Sequence, residues 1–173
     1  MSLREPGLLV SSSTKRKSAG FTLIELLVTL VILSILASVA LPYAELSVRR
    51  EKEFELRRVL REVRTAIDGF HDDWLAGRIS KTDGSASADG YPKKLEVLVN
   101  GVDRGQAYGG KHRYMRALPK NPFSPATIAM DEQWRFRGYQ DDPDAVSWGG
   151  KDVYDIHSSF DGMAIDGTQY RNW

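Results

Sequence analysis

The hydrophobic positions of this chain follow two successive patterns that together predict one long helix. Residues 21–44 read FTLIELLVTLVILSILASVALPYA, an apolar run in which Glu25 is the only charged side chain. Beyond it, apolar residues recur at steps of three and four among charged ones, as on one face of a helix. They are Leu56, Val59, Leu60, Val63, Ile67, Phe70 and Trp74. The predicted helix is therefore apolar all round in its first half and amphipathic over residues 45–75.

The apolar run is long enough to cross a membrane. Its 24 residues would extend about 36 Å as a helix, against a hydrocarbon core of about 30 Å. Residues 1–20 carry four basic side chains and one acidic side chain, and basic residues favour the cytoplasmic side of a span. We predict one transmembrane segment at 21–44, with the N-terminus in the cytoplasm and residues 45–173 outside.

Two simpler interpretations of the run compete with this one. A secretory signal peptide could be cut after Ala40, but its basic region would be 20 residues long and its apolar core would contain a glutamate. A plain single-span anchor leaves Glu25 unexplained, because a carboxylate deep in a bilayer costs roughly 2.5–3.5 kcal/mol. Such a residue usually has a partner, so Glu25 indicates an assembly contact inside the membrane.

The remaining sequence predicts a small domain. Glu53 and Arg57 have the spacing of an exposed ion pair on the helix. Residues 77–90 are a loop by composition, and Pro92 suits the first turn of a short helix that closes at Asn100 and Gly101. Two stretches have the alternation of strands, Trp134–Tyr139 and Lys151–His157.

These elements together predict an α+β fold, in which the long N-terminal helix packs on a small antiparallel sheet. Residues 76–130 would supply connecting loops and short helices, and residues 131–173 the sheet and a C-terminal loop. Pro42 lies inside the predicted helix, where its ring crowds the carbonyl of Ser38, so we expect the helix to kink or loosen there.

The composition excludes several function classes. The chain has no cysteine, so it has neither disulfides nor thiolate metal sites, and its net charge of +1 argues against nucleic-acid binding. His71, His112 and His157 lack the spacing of a zinc site. Since no catalytic motif is present, we predict that the chain is not an enzyme.

The charges are unevenly distributed along the domain. Residues 76–130 carry nine basic and four acidic side chains, a surplus of +5, whereas residues 131–173 carry four basic and nine acidic ones, a surplus of −5. Such a distribution can be an ordinary solvated surface, or it can set the register of head-to-tail contacts between copies.

The residues Gly20-Phe21-Thr22-Leu23-Ile24-Glu25 resemble the leader junction of type IV pilins and type II secretion pseudopilins. The resemblance implies that residues 1–20 are a leader, that a prepilin peptidase cuts between Gly20 and Phe21, and that Phe21 becomes N-methylated. Glu25 would then pair with the freed amino terminus of a neighbouring copy, which neutralises two groups that are each costly in lipid. Pro42 matches a helix breaker that pilin-like proteins often carry.

The resemblance extends into the domain. The segments YPKKLEVLV, YMRALPKNPF and DVYDIHSSFDG and the terminal Trp173 resemble the major, G-type pseudopilin, and the absence of cysteine favours a secretion subunit over a type IV pilin. It implies a structural subunit of an inner-membrane-rooted helical fibre that pushes proteins out of the periplasm. Its partners would be copies of itself, other pseudopilins, the prepilin peptidase, the inner-membrane assembly platform and membrane lipid.

Two alternatives for the function remain open. The chain could be a type IV pilin or minor pilin that serves adhesion, motility or DNA uptake. It could also be a single-span anchored binding module that never polymerises, in which case Glu25→Ala should leave it unaffected or let it insert slightly better.

Calcium is the one cofactor that the resemblance implies, because major pseudopilins bind it in the loop after their sheet. Asp161 and Asp166 are the carboxylates that would hold it, together with backbone carbonyls between them, and such hard oxygen ligands suit calcium. The same residues also fit two Asp-Gly turns flanking a hairpin, so both interpretations stand.

Overall fold

The computed structural model describes residues 20–80, 84–105, 108–125, 127–145 and 147–173. It divides into two compact units, Met1–Ala44 and Glu45–Trp173. The helix α1, Leu23–Leu75, contributes to both.

In the first unit, α1 is an isolated apolar helix. Every residue from 20 to 40 is exposed, and an 18-residue window here has a mean hydropathy of 2.6 with none of it buried. Within the described residues, α1 is the one helix whose length and composition suit a membrane crossing. Pro42 lies inside α1 and does not end it; the kink or loosening there stays a prediction.

In the second unit, residues 45–75 of α1 are the centre of the hydrophobic core. The apolar stripe predicted from the sequence is confirmed, because six of its seven residues are at most 2% exposed and the seventh, Trp74, packs partly buried against the others. Residues from the rest of the chain cover this face, among them Ile79, Leu95, Leu98, Val102, Met115, Trp134, Val153, Ile156 and Tyr170.

The short helix α2 begins later than the sequence predicts. It spans Glu96–Asn100 rather than starting at Pro92. Pro92 instead pairs with Ala86 in an isolated β-bridge, and its carbonyl accepts the N–H of Val153 at 2.8 Å. This long-range pairing keeps the residue extended, which overrides its local preference for a first helical turn. The predicted end of the helix is confirmed, since Gly101 follows with a φ of 78°.

The antiparallel sheet predicted from the sequence is present as two separate pairs of strands. Strands β1 (Val102–Asp103) and β2 (Lys111–His112) form one pair, and β3 (Trp134–Arg137) and β4 (Asp155–Ser158) form the other. In the second pair Trp134 lies opposite Ser158 and Arg137 opposite Asp155. Both predicted strands are found with shifted ends, and a turn of 3-10 helix, Tyr170–Asn172, follows near the C-terminus.

Candidate assembly and processing site

The junction at which the leader would be removed is open to solvent. Gly20 and Phe21 precede the first residue of α1, and Phe21 is 82% exposed. A Cβ atom added to Gly20 would meet nothing within 4 Å. The peptide bond between them is therefore accessible, and folding of the described residues does not require a glycine at position 20.

Thr22 starts the helix and was missed in the sequence analysis. Its hydroxyl oxygen accepts the N–H of Glu25 at 3.2 Å, and its carbonyl accepts the N–H of Leu26 at 3.1 Å. Threonine followed three residues later by glutamate is a recognised helix-start signal, so the spacing T-x-x-E could have revealed it. Thr22 places the first helical turn two residues after the predicted cut.

Glu25 lies exposed in the first turn of α1. Within the described part of the chain, its carboxylate has no hydrogen bond or ion pair. Negative charge is favourable at a helix N-terminus, but the surrounding side chains, including Ile24 and Leu26, are apolar and exposed. A carboxylate in such surroundings requires a partner from another molecule if the segment lies in lipid.

The C-terminal loop is a short hairpin. Met163 and Gln169 form an antiparallel bridge, and the N–H of Ala164 donates to the carbonyl of Thr168 at 2.7 Å. The carboxylate of Asp166 accepts the N–H of Thr168 at 3.0 Å and its hydroxyl at 2.6 Å. Gly167 turns the chain at a φ of 83°, which glycine adopts without strain.

Four polar side chains of α1, which we call the C-terminal clamp, bind the end of the chain: Arg49, Glu53, Arg57 and Arg64. Steps of four, four and seven residues place them on one face of the helix. The predicted pair between Glu53 and Arg57 is wrong, since both side chains bind partners more than a hundred positions away.

At the start of the clamp, Arg49 and Glu53 bind the hairpin and Tyr170. Arg49 donates to the carbonyl of Met163 and, at 3.3 Å, to the Tyr170 hydroxyl. Glu53 accepts the N–H of Ile165 at 2.9 Å and the Tyr170 hydroxyl at 2.8 Å. Burial of the ring is the largest cause that raises the pKa of Tyr170, so the hydroxyl keeps its proton for Glu53 at neutral pH.

Further along the helix, Arg57 and Arg64 bind the remainder of the terminal segment. Arg57 donates to Asp166 at 3.0 Å, and its guanidinium lies 4.0 Å from the ring centroid of Trp173. Arg64 donates to the backbone oxygen of Trp173 at 3.0 Å and to the carboxylate of Asp155 at 2.7 Å. The clamp thus fixes the terminal segment at four points along α1.

Two comparisons relate this chain to known proteins. Residues 15–41 match the prokaryotic N-terminal methylation motif. The chain is also 26% identical over 148 residues to the type II secretion system core protein G of Pseudomonas aeruginosa, an alignment that covers 78% of this chain and 97% of that protein. The chain is therefore similar to the pseudopilins, the type IV pilin-like proteins of type II secretion systems. No solved structure matches it.

The long N-terminal helix packed with small antiparallel sheets confirms the predicted α+β fold class. The similarity to a pseudopilin, a structural protein, agrees with the prediction that the chain is not an enzyme. The apolar start of α1 and the methylation motif are consistent with a single-pass protein of the inner membrane. The cut after Gly20, the methylation of Phe21 and the pairing of Glu25 stay predictions.

The predicted calcium ligands of this chain have other partners. Asp161 is 3.4 Å from Arg135, and Asp166 binds Arg57 and Thr168. The Thr168 hydroxyl and N–H, with a smaller contribution from Arg57, hold the pKa of Asp166 below its usual value. No group of three or more metal-binding side chains occurs among the described residues. In this arrangement the two carboxylates do not fit calcium, which takes six to eight oxygen ligands, and the calcium site stays a prediction.

A second polar cluster at the end of α1 was also missed in the sequence analysis. Asp73 is 6% exposed, and its carboxylate accepts hydrogen bonds from Arg78, Arg104 and Tyr114, each at 2.7 Å. Burial opposes ionisation, but these donors outweigh it and lower the pKa of Asp73. The cluster fastens the loops after α1 to the helix. Arg78 is five residues from Asp73, beyond the end of α1, and Arg104 and Tyr114 are distant in sequence, so helical spacing does not reveal the cluster.

Proposed function

We propose that this chain is a pseudopilin, a fibre subunit of a type II secretion system, inserted with its N-terminus in the cytoplasm and its domain in the periplasm. The observation that carries the proposal is the junction: an exposed Gly20–Phe21 bond, directly followed by a capped apolar helix with one carboxylate in its first turn. The similarity to a type II secretion core protein over most of the chain supports the secretion role.

The proposed assembly step is a charge pairing inside the membrane. Cleavage after Gly20 would free the amino group of Phe21, and the basic leader would be left behind. The Glu25 carboxylate of one copy would then bind the amino terminus of the next, so that neither charge remains alone in lipid. The apolar side chains exposed along residues 23–40 would pack against neighbouring helices.

Intact mass of the purified mature protein tests the processing step. We expect a mass that begins at Phe21 and carries one additional methyl group. The Gly20→Ala variant should keep the leader, and because position 20 has open space around it, its domain should unfold as the wild type does. A protein cut after Ala40 would contradict the proposal.

Assembly is tested with Glu25→Ala, Glu25→Asp and the control Thr29→Ala, whose hydroxyl only bonds the carbonyl of Leu26 in the same helix. We expect Glu25→Ala to be inserted and processed but to form no fibres. Glu25→Asp should recover part of the assembly because it keeps the charge, and Thr29→Ala should assemble normally. Equal assembly by all three would contradict the pairing of Glu25. Absence of fibres from the wild type as well, with all variants inserted normally, would favour a non-polymerising anchor.

A deletion strain distinguishes secretion from the pilin alternative. Loss of protein export from the periplasm, restored by the wild-type chain, is the expected result. Loss of surface fibres with intact export would identify a type IV pilin or minor pilin instead.

A further inference from the structure

The C-terminal hairpin of this domain is held by arginine side chains of the helix α1. The Met163 carbonyl and the Asp166 carboxylate provide oxygen ligands of the kind that a bound calcium ion requires. Each already accepts a hydrogen bond from an arginine of α1, Met163 from Arg49 and Asp166 from Arg57. We infer that these two guanidinium groups hold the hairpin in place of a metal ion, so that the domain closes independently of calcium.

The geometry of Arg57 supports this inference beyond a simple surface ion pair. Its guanidinium contacts Asp166 on the hairpin and also lies over the ring of Trp173, while the indole N–H of Trp173 donates to the Thr168 hydroxyl at 2.7 Å. Thr168 in turn binds Asp166. The Arg57 guanidinium therefore contacts both Asp166 and Trp173, which are also linked to each other through Thr168. A guanidinium group suits this role because its planar face stacks on aromatic rings while its edge binds carboxylate.

The second arginine is supported by a buried neighbour. Arg49 shares the Tyr170 hydroxyl with Glu53, whose side chain is 13% exposed, while the Tyr170 ring is fully buried in the core. Glu53 also binds the N–H of Ile165 in the hairpin. The Arg49 guanidinium thus balances the negative charge of the Glu53 carboxylate, which is largely removed from water. The same guanidinium donates a hydrogen bond to the Met163 carbonyl. A divalent cation at this place would have to displace one of the two arginines.

Thermal unfolding of the full-length protein in detergent, followed by tryptophan fluorescence, tests the inference. All four tryptophans lie beyond residue 70, so the signal reports the domain and not the membrane helix. We expect the wild-type midpoint to be the same after treatment with a chelator and in millimolar calcium. We expect the double variant Arg49→Gln/Arg57→Gln to unfold about 5 °C lower under both conditions.

The matched control is Arg58→Gln/Arg61→Gln, which removes the same charge from the same helix. Arg58 contacts only Glu55 one turn away, and neither residue contacts the hairpin in the described structure, so the midpoint should stay within about 1 °C. Arg57→Lys keeps the charge but loses the planar contact with Trp173, and it should fall between wild type and the double variant.

Hydrogen exchange of residues 163–173 provides a local readout that does not depend on the global midpoint. Protection of this segment should be lost in the double variant and kept in the control. A wild-type midpoint that rises with calcium or falls with chelator would overturn the inference, as would equal effects of the clamp and control variants. Because no secretion is measured, this outcome is separate from that of the proposed function.

Discussion

The two halves of α1 are built for different surroundings. From residue 23 to residue 40, every large apolar side chain is exposed, and polar side chains such as Thr29 and Ser34 bond only to carbonyls of the same helix. From residue 45 to residue 75, the apolar stripe is buried and a polar stripe beside it binds distant segments of the chain. One continuous helix therefore has one half whose partners lie within the domain and one half whose apolar side chains are left uncovered by the described residues.

This difference shows that apolar content alone does not reveal what stabilises a helix. In the second half the burial of apolar surface is completed by the chain itself, and each buried side chain contributes about 1.5–3 kcal/mol to folding. In the first half the same kind of side chain contributes nothing to the folding of the domain. This comparison is tested by substitutions made in one half at a time, with the unfolding free energy of the domain as the measured quantity.

The largest expected effect comes from Phe70→Ala, compared with Leu30→Ala. Phe70 is fully buried and makes an edge-on contact with Tyr114, whereas Leu30 is 55% exposed. We expect the core variant to lower the free energy of unfolding of the domain by about 3–5 kcal/mol and the membrane-half variant to leave it unchanged. Urea denaturation followed by tryptophan fluorescence measures both. A similar loss in both variants would mean that the halves are not independent.

A smaller effect is expected from Asp73→Asn, which weakens the cluster at the end of the buried half. We expect a loss of about 2–3 kcal/mol at neutral pH, because two arginines that are partly buried lose their counter-ion. The folded pKa of Asp73 is lowered, so its contribution is present above the unfolded value of about 3.9. It is lost as the pH falls through the folded pKa.

The pH dependence provides the check on this variant. The difference in unfolding free energy between wild type and Asp73→Asn should stay constant from pH 7 to the unfolded pKa of about 3.9. It should shrink as the pH is lowered further, towards 3. A difference that stays constant over this range would mean that Asp73 acts through packing and not through its charge.

The smallest expected effect comes from Phe54→Ala, which lies in the second half but is 73% exposed. Leu56, two residues later, is fully buried and serves as the comparison. We expect Phe54→Ala to change the unfolding free energy by less than about 0.5 kcal/mol and Leu56→Ala to lower it by about 2–5 kcal/mol. A large loss from Phe54→Ala would show that position along the helix matters more than exposure.

The parts of the structure that could be predicted are those with a local signal. The apolar run, the stripe at steps of three and four, the helix end at Gly101 and the two strands of the β3–β4 pair all follow from neighbouring residues. The junction between Gly20 and Phe21 comes from the resemblance and stays a prediction, and the T-x-x-E spacing at Thr22 would have added the helix cap.

The parts that failed depend on partners far along the chain. Glu53 and Arg57 satisfy the rule for a helical ion pair, but the C-terminal hairpin offers each a better partner. Asp73 lies within an ordinary charged helix in the sequence, and only folding brings Arg104 and Tyr114 to it. The spacing of Asp161 and Asp166 likewise does not reveal their contacts with Arg135 and Arg57, and calcium at this place stays a prediction.

The clamp also sets an order of events during synthesis. Arg57 is made 109 residues before Asp166, a delay of roughly 5–20 s at 5–20 residues per second. During that interval the charged side chains of α1 can remain hydrated, but the apolar stripe beside them has no cover. If residues 21–44 span the membrane as proposed, the membrane holds the nascent chain apart from other chains until the last segment arrives and closes the domain.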